Sequence, residues 1–178
     1  MYDFHYNYIK SKYGDKARLL FTDTDSLTYE IEADDVYQDF WKDKHLFDNS
    51  DYPKDSSFFD NTNKKVIGKF KDEAAGLPIV EFVGLRSKMY SLMKDNEQGS
   101  RTAKGIKKNV IKQQLQHDNY KDVLFNKKQL RHEMRLIKSE KHRIGSYMVN
   151  KTSLSCFDDK RYIHKNGVTS NAYGHNRL

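Results

Sequence analysis

The 178 residues suffice for one ordinary domain, or a domain and a fraction, and they can bury a core. Hydrophobic residues make up 37% and charged residues 32%, with 12 Tyr and 10 Phe, which excludes disorder throughout. A formal net charge of +7 favours a polyanionic partner. The single Cys156 excludes a disulfide framework and a cysteine-based zinc site, and it suits a reducing intracellular compartment. Since no apolar run approaches ~18 residues, no membrane partner is expected.

The positive charge is concentrated in one segment of the chain. Residues 101–143 contain 13 Lys and Arg against four acidic residues, a net charge of +9, so the rest of the chain sums to −2. Residues 30–60 contain ten acidic residues against three lysines, a composition that repels a phosphate backbone. We therefore expect only the basic segment to face a polyanion.

The first residues predict a helix. Tyr2, Tyr6, Ile9 and Tyr13 recur at spacings of four and three, which places them in one apolar stripe along a helix. Gly14 can end this helix, because glycine readily adopts the backbone conformation found after the last helical turn. We expect the three tyrosines of the stripe to lie in the hydrophobic core.

Two short strands and a second helix are predicted next. Residues 18–21 are mainly apolar, and residues 27–31 alternate apolar and polar side chains, the period of a half-buried strand. Asp34 can cap a helix in which the apolar residues of 36–41 share one face. The Asp, Asn, Ser and Pro content of residues 47–63 predicts a loop.

A strand meander, a basic amphipathic helix and further strands are predicted for the rest of the chain. The predicted strands cover residues 66–72, 78–85, 88–93, 134–137, 147–149 and 161–163, and the predicted helices cover residues 106–115 and 123–125. No internal repeat is evident in the sequence, so a repeat architecture is not expected.

Asp23 and Asp25 lie two residues apart between the first two predicted strands. In an extended segment, residues i and i+2 point to the same side, so the two carboxylates would converge while Thr24 packs behind them. Mg²⁺ binds hard oxygen ligands, usually one or two carboxylates with substrate phosphates and water. Two such ions can promote an in-line phosphoryl transfer. The alternative is an Asx-rich turn with solvated acids.

The string from Phe21 to Ser26 closely resembles motif C of family B DNA polymerases, Tyr-x-Asp-Thr-Asp-Ser, with phenylalanine in place of the tyrosine. The resemblance implies a palm-domain hairpin with a two-metal magnesium site. It implies that Asp25 is the firm metal ligand and that Asp23 modulates the site, with Thr24 and Ser26 as supporting residues. The missing phenol removes a hydroxyl contact and leaves both carboxylates in place.

A second resemblance lies about 60 residues downstream, at Leu85–Tyr90. It is similar to the Lys-x-Tyr motif of the protein-primed branch of this family, which holds the primer strand. Physically, Lys88 and Tyr90 alternate onto one face of a strand and offer a phosphate-binding charge beside an aromatic hydroxyl. The resemblance therefore implies that these two side chains bind the primer.

A third resemblance, at Thr102–Ile106, is to the Lys-Gly turn between palm and thumb in these enzymes. Gly105 would let the backbone approach a phosphate, while four basic side chains around it neutralise the charge. The alternative is a solvated basic helix. The residues expected to bind DNA here are Arg101, Lys104, Gly105, Lys107 and Lys108.

The C-terminal region from Ser155 to Tyr162 looks like that of polymerases from self-synthesising Polinton/Maverick transposons, a resemblance that implies nuclear residence. Asp158 and Asp159 are expected to pair with the following Lys160 and Arg161 and not to act in catalysis, because neighbours on a strand face opposite ways. The histidines of the basic segment are expected to be exposed or to contact phosphate, and not to bind metal; they are His117, His132 and His142.

Two further polymerase motifs do not occur in the sequence. Motif A, Asp-x-x-Ser-Leu-Tyr-Pro, supplies the other indispensable metal ligand, and motif B, Lys-x-x-x-Asn-Ser-x-Tyr-Gly, grips the incoming nucleotide. We expect both, and any proofreading exonuclease, upstream of Met1. Without the aspartate of motif A the two-metal site is incomplete, so the isolated chain is expected to be inactive.

These observations predict an α+β fold, with a partial polymerase palm over residues 1–100 and a thumb-like basic segment over residues 101–178. The palm part would be an antiparallel sheet with an acidic hairpin and flanking helices. The expected function is that of a DNA-directed DNA polymerase, a nucleotidyltransferase of DNA replication. Its expected partners are primer-template DNA, deoxynucleoside triphosphates and a terminal priming protein.

Two alternatives from other functional classes stay open. A non-catalytic DNA-binding remnant of a mobile element would keep the +9 segment without turnover. A metal-dependent nuclease would need further carboxylates that converge on Asp23 and Asp25, for which Glu73 and Glu81 are the strand-borne candidates.

Overall fold

The computed structural model describes residues 1–96, 98–157, 161–172 and 174–176. The fold is mixed α+β with small antiparallel sheets, as predicted. The chain forms two compact units, Met1–Val80 with Lys94–Gln98, and Glu81–Met93 with Gly99–Leu178. The division at residue 100 into a palm part and a thumb-like part stays a prediction. Asp158, Asp159 and Lys160 lie outside the described residues, so their predicted pairing stays a prediction.

The first helix, α1, has π-type hydrogen bonds over Phe4–Lys10 and ends with one α-helical turn, Ser11–Tyr13. Because π-type hydrogen bonds join residues five apart, the side chains of this helix that pack in the core recur at other spacings than in an α-helix: Phe4, Ile9 and Tyr13 are five and four residues apart. Gly14 follows with a φ of 57°, so it ends the helix as expected.

The π-type winding changes which tyrosines are buried. Tyr13 and Ile9 lie in the core, but Tyr2 is 82% exposed and Tyr6 is 62% exposed, so the predicted burial of these two is wrong. Tyr2 and Tyr6 instead stack on each other, with ring centroids 6.5 Å apart. Partly buried aromatic and aliphatic side chains complete this first core around Ile9, Tyr13 and Ala17; they are Phe4, Tyr8, Tyr29, Ile31, Val36 and Phe40.

The predicted acidic hairpin is present. Strand β1, Ala17–Asp23, pairs antiparallel with strand β2, Ser26–Ile31. Helix α2, Val36–Lys42, follows at the predicted place. Its N-cap is Asp35 and not the predicted Asp34, because the Asp35 carboxylate accepts hydrogen bonds from the backbone N–H groups of Tyr37 and Gln38, both at 3.0 Å.

The predicted strand at residues 66–72 is wrong. Among the described residues this region consists of turns, and only Phe70 forms an isolated parallel bridge, with Phe47. The carboxylate of Asp48, which is 6% exposed, accepts backbone hydrogen bonds from Ser50 and Lys65 and organises this long loop. Burial alone would raise the pKa of Asp48, but these hydrogen bonds and Lys71 lower it to about 2.

In the second unit, three strands and two helices enclose a core. Strands β3, Ile79–Arg86, β4, Met89–Lys94, and β5, Gly99–Ala103, form one sheet in that order. Helices α3, Lys108–Gln114, and α4, His117–Phe125, pack on one face of this sheet. The buried residues are Val83, Met89, Ala103, Leu115, Tyr120, Val123 and Leu154, and Cys156 packs against them partly buried. The sequence did not predict β5, which is short and polar.

Two further hairpins complete the second unit. Strands β6, Gln129–Glu140, and β7, Arg143–Ser155, form a long antiparallel hairpin that contains the predicted strands at 134–137 and 147–149. The predicted strand at 161–163 is confirmed as β8, Arg161–Ile163, and it pairs with β9, Ser170–Ala172, which was not predicted. None of the helices in the described part of the chain is long and apolar enough to cross a membrane.

Asp35→Ala should lower the stability of the first unit by about 1 kcal/mol, because two N–H groups of the first turn of α2 lose their acceptor. The measurement is the midpoint of urea unfolding. Asp34→Ala is the matched control. It removes the same charge from the neighbouring position, and Asp34 makes no cap hydrogen bond with a described residue. Equal midpoints for the two variants would contradict the assignment of Asp35 as the cap.

Candidate functional site

The two acidic residues of the candidate metal site flank a very tight turn. Asp23 ends β1 and pairs with Ser26, the first residue of β2, so Thr24 and Asp25 alone connect the strands. The backbone N–H of Asp25 donates to the carbonyl oxygen of Asp23 at 2.7 Å, and Thr24 has a φ of 55°. These are features of a γ-turn of the rarer hand. The predicted extended geometry through Thr24 is therefore wrong.

The side chains around the turn have different surroundings. The Thr24 hydroxyl donates to the Asp23 carboxylate at 3.2 Å, so Thr24 supports the first acid directly and does not pack behind it. The Ser26 hydroxyl donates to the backbone oxygen of Asp23, also at 3.2 Å. Asp25 is exposed, and its carboxylate makes no hydrogen bond or ion pair with a described residue. The freest oxygen ligands of the turn are thus those of Asp25.

This donor set fits part of a magnesium site. Two carboxylates are the number that Mg²⁺ usually takes from a protein when substrate phosphates and water supply the other ligands. Within the described residues, no group of three or more His, Cys, Asp or Glu side chains could hold a metal ion. As the predicted ligands, Asp23 and Asp25 would hold Mg²⁺ only together with ligands from a bound substrate and water.

The predicted primer-binding residues occupy a turn and the start of a strand. Lys88 lies in the turn between β3 and β4 with a φ of 56°, so the expected alternation of Lys88 and Tyr90 along one strand is wrong. The carbonyl oxygen of Lys88 accepts a hydrogen bond from the N–H of Lys104 at 2.9 Å, next to the pair formed by Met89 and Ala103. Two predicted lysines that are 16 positions apart in sequence thus become neighbours.

Tyr90 is held in place by its own sheet. It pairs with Thr102 of β5, and its ring stacks on that of Phe82 with centroids 5.9 Å apart. The phenol is thereby fixed in direction by an aromatic neighbour on the adjoining strand. Tyr90 is partly buried, which leaves a portion of its surface accessible to a ligand.

The glycine and lysines after β5 have the predicted character. Gly105 has a φ of 85°, the left-handed conformation that a Lys-Gly turn requires and that favours glycine. Three exposed lysines lie close to it in sequence. Lys104 and Lys107 precede α3, and Lys108 is its first residue. The turn therefore presents three ammonium groups next to an open backbone.

Arg101 is separated from this group. It pairs with Ser91, so it lies on the sheet face that carries the buried Met89 and Ala103, opposite to the face of Tyr90. Its guanidinium donates to the side-chain oxygen of Gln116 at 3.0 Å, and Gln116 caps α4. This contact fixes the start of a helix, and the phosphate contact of Arg101 stays a prediction.

A polar cluster in the second unit was not predicted. The Ser91 hydroxyl and Nδ1 of His117 are 2.8 Å apart, Nε2 of His117 lies 3.3 Å from Glu81, and the Lys121 ammonium donates to Glu81 at 2.8 Å. The expectation that His117 is exposed or contacts phosphate is wrong. Ser91 is completely buried, so this Ser-His-Glu arrangement cannot offer its hydroxyl to a substrate. Instead it ties α4 to the sheet.

One sequence signal points to this cluster. Ser91 is a polar residue in the otherwise apolar core-facing pattern of β4, and a buried hydroxyl needs a hydrogen-bond partner. The two other histidines of the basic segment differ. His132 is partly buried, with its Nδ1 2.7 Å from the Ser153 hydroxyl, whereas His142 is exposed as expected. Of the two glutamates that a nuclease would need, Glu73 lies in a turn and not on a strand.

Comparison of the chain with protein-family models, curated proteins and solved structures finds no match. The resemblance to family B DNA polymerases therefore rests on the motifs around Asp25, Tyr90 and Lys104. The polymerase activity, its magnesium ions and its DNA, nucleotide and priming-protein partners stay predictions.

Glu81→Gln should remove a pH-dependent part of the stability. The hydrogen bond from Lys121 lowers the pKa of Glu81, and the same contact raises the pKa of Lys121. Because the folded pKa of Glu81 lies below the unfolded one, the ionised group stabilises the fold above the unfolded pKa of about 4.3, and this is lost as the pH falls through the folded pKa.

We therefore expect the urea midpoint of the wild type to exceed that of Glu81→Gln at neutral pH, with the difference shrinking below about pH 4. Glu133→Gln is the control, because Glu133 is an exposed glutamate on a strand of the same unit. A difference that stays constant through the acid range would show that Glu81 acts without its charge.

Proposed function

We propose that this chain is the C-terminal part of a family B, protein-primed DNA polymerase, with half of a palm followed by a thumb-like basic segment. The observation that carries the proposal is the acidic turn, in which a two-residue connection places Asp25 at the exposed tip of a hairpin, two positions after Asp23. This arrangement occurs within the string that matches motif C at every position except Phe21.

Asp25 is the main metal ligand in this proposal, and Asp23 assists it. The chemistry that magnesium supplies when bound is activation of a primer 3′-hydroxyl and neutralisation of the leaving pyrophosphate. Thr24 has a left-handed backbone although it is β-branched, a conformation that costs about 1–3 kcal/mol and that clusters at functional sites. A strained residue between the two acids supports a functional reading of the turn.

The DNA-binding part of the proposal rests on the side-by-side position of Lys88 and Lys104. Their backbones are joined at 2.9 Å, so two positive charges can meet one phosphate backbone within a short distance. Tyr90, fixed by Phe82, would pack against the sugar of the primer strand. Arg101 acts in this proposal as a positioning residue, since it supports α4 through Gln116.

A non-catalytic DNA-binding protein is the second candidate, and the exposed lysines around Gly105 favour it equally. The nuclease alternative loses support, because the Glu81 carboxylate is held by Lys121 and Glu73 does not lie on a strand. The two remaining candidates differ only in whether DNA synthesis takes place. A longer protein that also contains the aspartate of motif A would have this activity.

Asp25→Asn should abolish DNA synthesis in the longer protein. We expect the DNA on the 5′ side of the Met1 codon to encode an Asp-x-x-Ser-Leu-Tyr-Pro string in frame, and primer extension by that protein with magnesium to fall by at least about 100-fold in the variant. Asp55→Asn is the control, because Asp55 is an equally exposed acid in a loop. Unchanged extension by Asp25→Asn would contradict the metal assignment.

A double variant tests DNA binding by the chain itself. Lys104→Ala with Lys107→Ala should reduce the slope of log affinity for duplex DNA against log salt by up to about 2, because each lost phosphate contact changes it by about 0.9. Lys54→Ala with Lys64→Ala removes the same charge from exposed positions of the first unit. An equal loss in both variants would indicate net charge alone, and no loss would remove the Lys-Gly turn from the interface.

A further inference from the structure

The sheet of β3, β4 and β5 has one face toward the core of the second unit and one face away from it. Val83 and Met89 are buried in that core, so their neighbours in sequence lie on the opposite face. Phe82 and Gly84 of β3 and Tyr90 of β4 are therefore on this outer face. It carries the phenol that the proposed function assigns to the primer strand.

The rings of Phe82 and Tyr90 pack against each other across two neighbouring strands. Their centroids are 5.9 Å apart and their planes differ by 29°, so the rings are stacked and not edge to face. Both side chains are partly buried. A tyrosine side chain turns about two bonds only, and a ring stacked on it restricts both. Phe82 thus limits the directions in which the phenol of Tyr90 can point.

Gly84 supplies the space that this arrangement needs. A Cβ atom at Gly84 would lie 3.0 Å from one atom of the Phe82 ring and 3.2 Å from another. Carbon atoms attract each other best at about 3.5–4.0 Å, and both distances are shorter. A side chain at position 84 would therefore push the Phe82 ring away from its place against Tyr90.

The backbone does not explain a glycine at this position. The φ of Gly84 lies outside the left-handed region, so other residues could adopt the same conformation. Glycine inside a strand is also less stable than alanine, because it loses more conformational freedom on folding. Two explanations are left: the neighbouring Phe82 ring, or the close approach of a ligand to Gly84 itself.

We propose that Gly84 is a positioning residue for Tyr90 and acts through Phe82. Neither Gly84 nor Phe82 contacts the primer strand in this proposal. The missing side chain of Gly84 admits the Phe82 ring, and that ring holds the phenol of Tyr90 in the direction in which it meets the sugar. The inference rests on the proposed function, which gives Tyr90 its partner, and it adds a residue outside the Leu85–Tyr90 string.

The expected gain is one of affinity. A side chain that is free before binding loses its rotational freedom when the ligand fixes it, and this loss weakens binding by about two- to tenfold per side chain. A phenol that Phe82 already holds avoids most of this loss. Release of the phenol should therefore weaken binding of the primer strand without changing any charge.

The first variant is Gly84→Ala in the chain itself. Its affinity for a primer-template duplex should fall by about two- to tenfold. The slope of log affinity against log salt should stay unchanged, because no phosphate contact by a charged side chain is lost. Alanine is more stable than glycine inside a strand, so the melting temperature should stay close to that of the wild type. A changed salt slope would contradict the proposed cause.

Phe82→Leu supplies the matched background. Leucine is apolar but has no ring, so Phe82→Leu alone should lose about as much affinity as Gly84→Ala. Combining Phe82→Leu with Gly84→Ala adds the same methyl group where no ring is displaced, so we expect no further loss. Additive losses would overturn the inference, because they would show that the DNA itself approaches Gly84.

A spectroscopic measurement follows the phenol in the absence of DNA. Fluorotyrosine in place of Tyr90 has a fluorine NMR resonance that depends on the stacked Phe82 ring. This resonance should move in Gly84→Ala and in Phe82→Leu. It should stay in place in Ser100→Ala, the control, since Ser100 is exposed on the same face of the sheet and Thr102 lies between it and Tyr90 in register. An unmoved resonance in Gly84→Ala would overturn the inference.

Tyr90→Ala separates failure of this inference from failure of the proposed function. If Tyr90→Ala binds the primer-template duplex weakly while Gly84→Ala binds it like the wild type, the positioning role of Gly84 is wrong and the primer contact of Tyr90 stands. If Tyr90→Ala binds like the wild type, the primer contact in the proposed function is wrong, and the inference falls with it.

Discussion

Antiparallel pairing between strands that follow one another in the sequence is the interaction on which the structure depends. Each sheet of the described chain pairs only such neighbours: β1 with β2, β3 with β4, β4 with β5, β6 with β7, and β8 with β9. In a hairpin the register is fixed by the length and type of the turn, and a slip by one residue moves every side chain to the other face. The turns therefore determine which residues are buried and which are presented.

Several residues of the predicted sites lie in or beside these turns. Thr24 lies between the two acids, Lys88 lies in the turn before β4, and Lys141 and His142 form the turn between β6 and β7. All four have left-handed backbones although none is glycine. Such a conformation costs free energy that the flanking ladders of hydrogen bonds must offset.

Local patterns in the sequence predicted the elements that rest on local pairing. The alternation in 27–31, the apolar face of 36–41 and the acidic turn were all placed correctly, because period and turn chemistry are visible within a few residues. The strand at 66–72 was not, since a buried carboxylate, Asp48, orders that segment from a distance. Likewise, the sheet face on which Arg101 lies depends on its pairing with Ser91, and no local sequence pattern encodes that register.

The long β6–β7 hairpin also affects how the chain behaves in solution. Neither of its edges is paired with another strand among the described residues, so each carries open N–H and C=O groups along its exposed length. Such edges recruit strands from other molecules unless charged side chains keep them apart. Arg135, Lys141 and Arg143 supply that repulsion here. Neutralising these three side chains would remove the barrier to edge-to-edge association, so the tendency of the chain to self-associate would depend on what surrounds them.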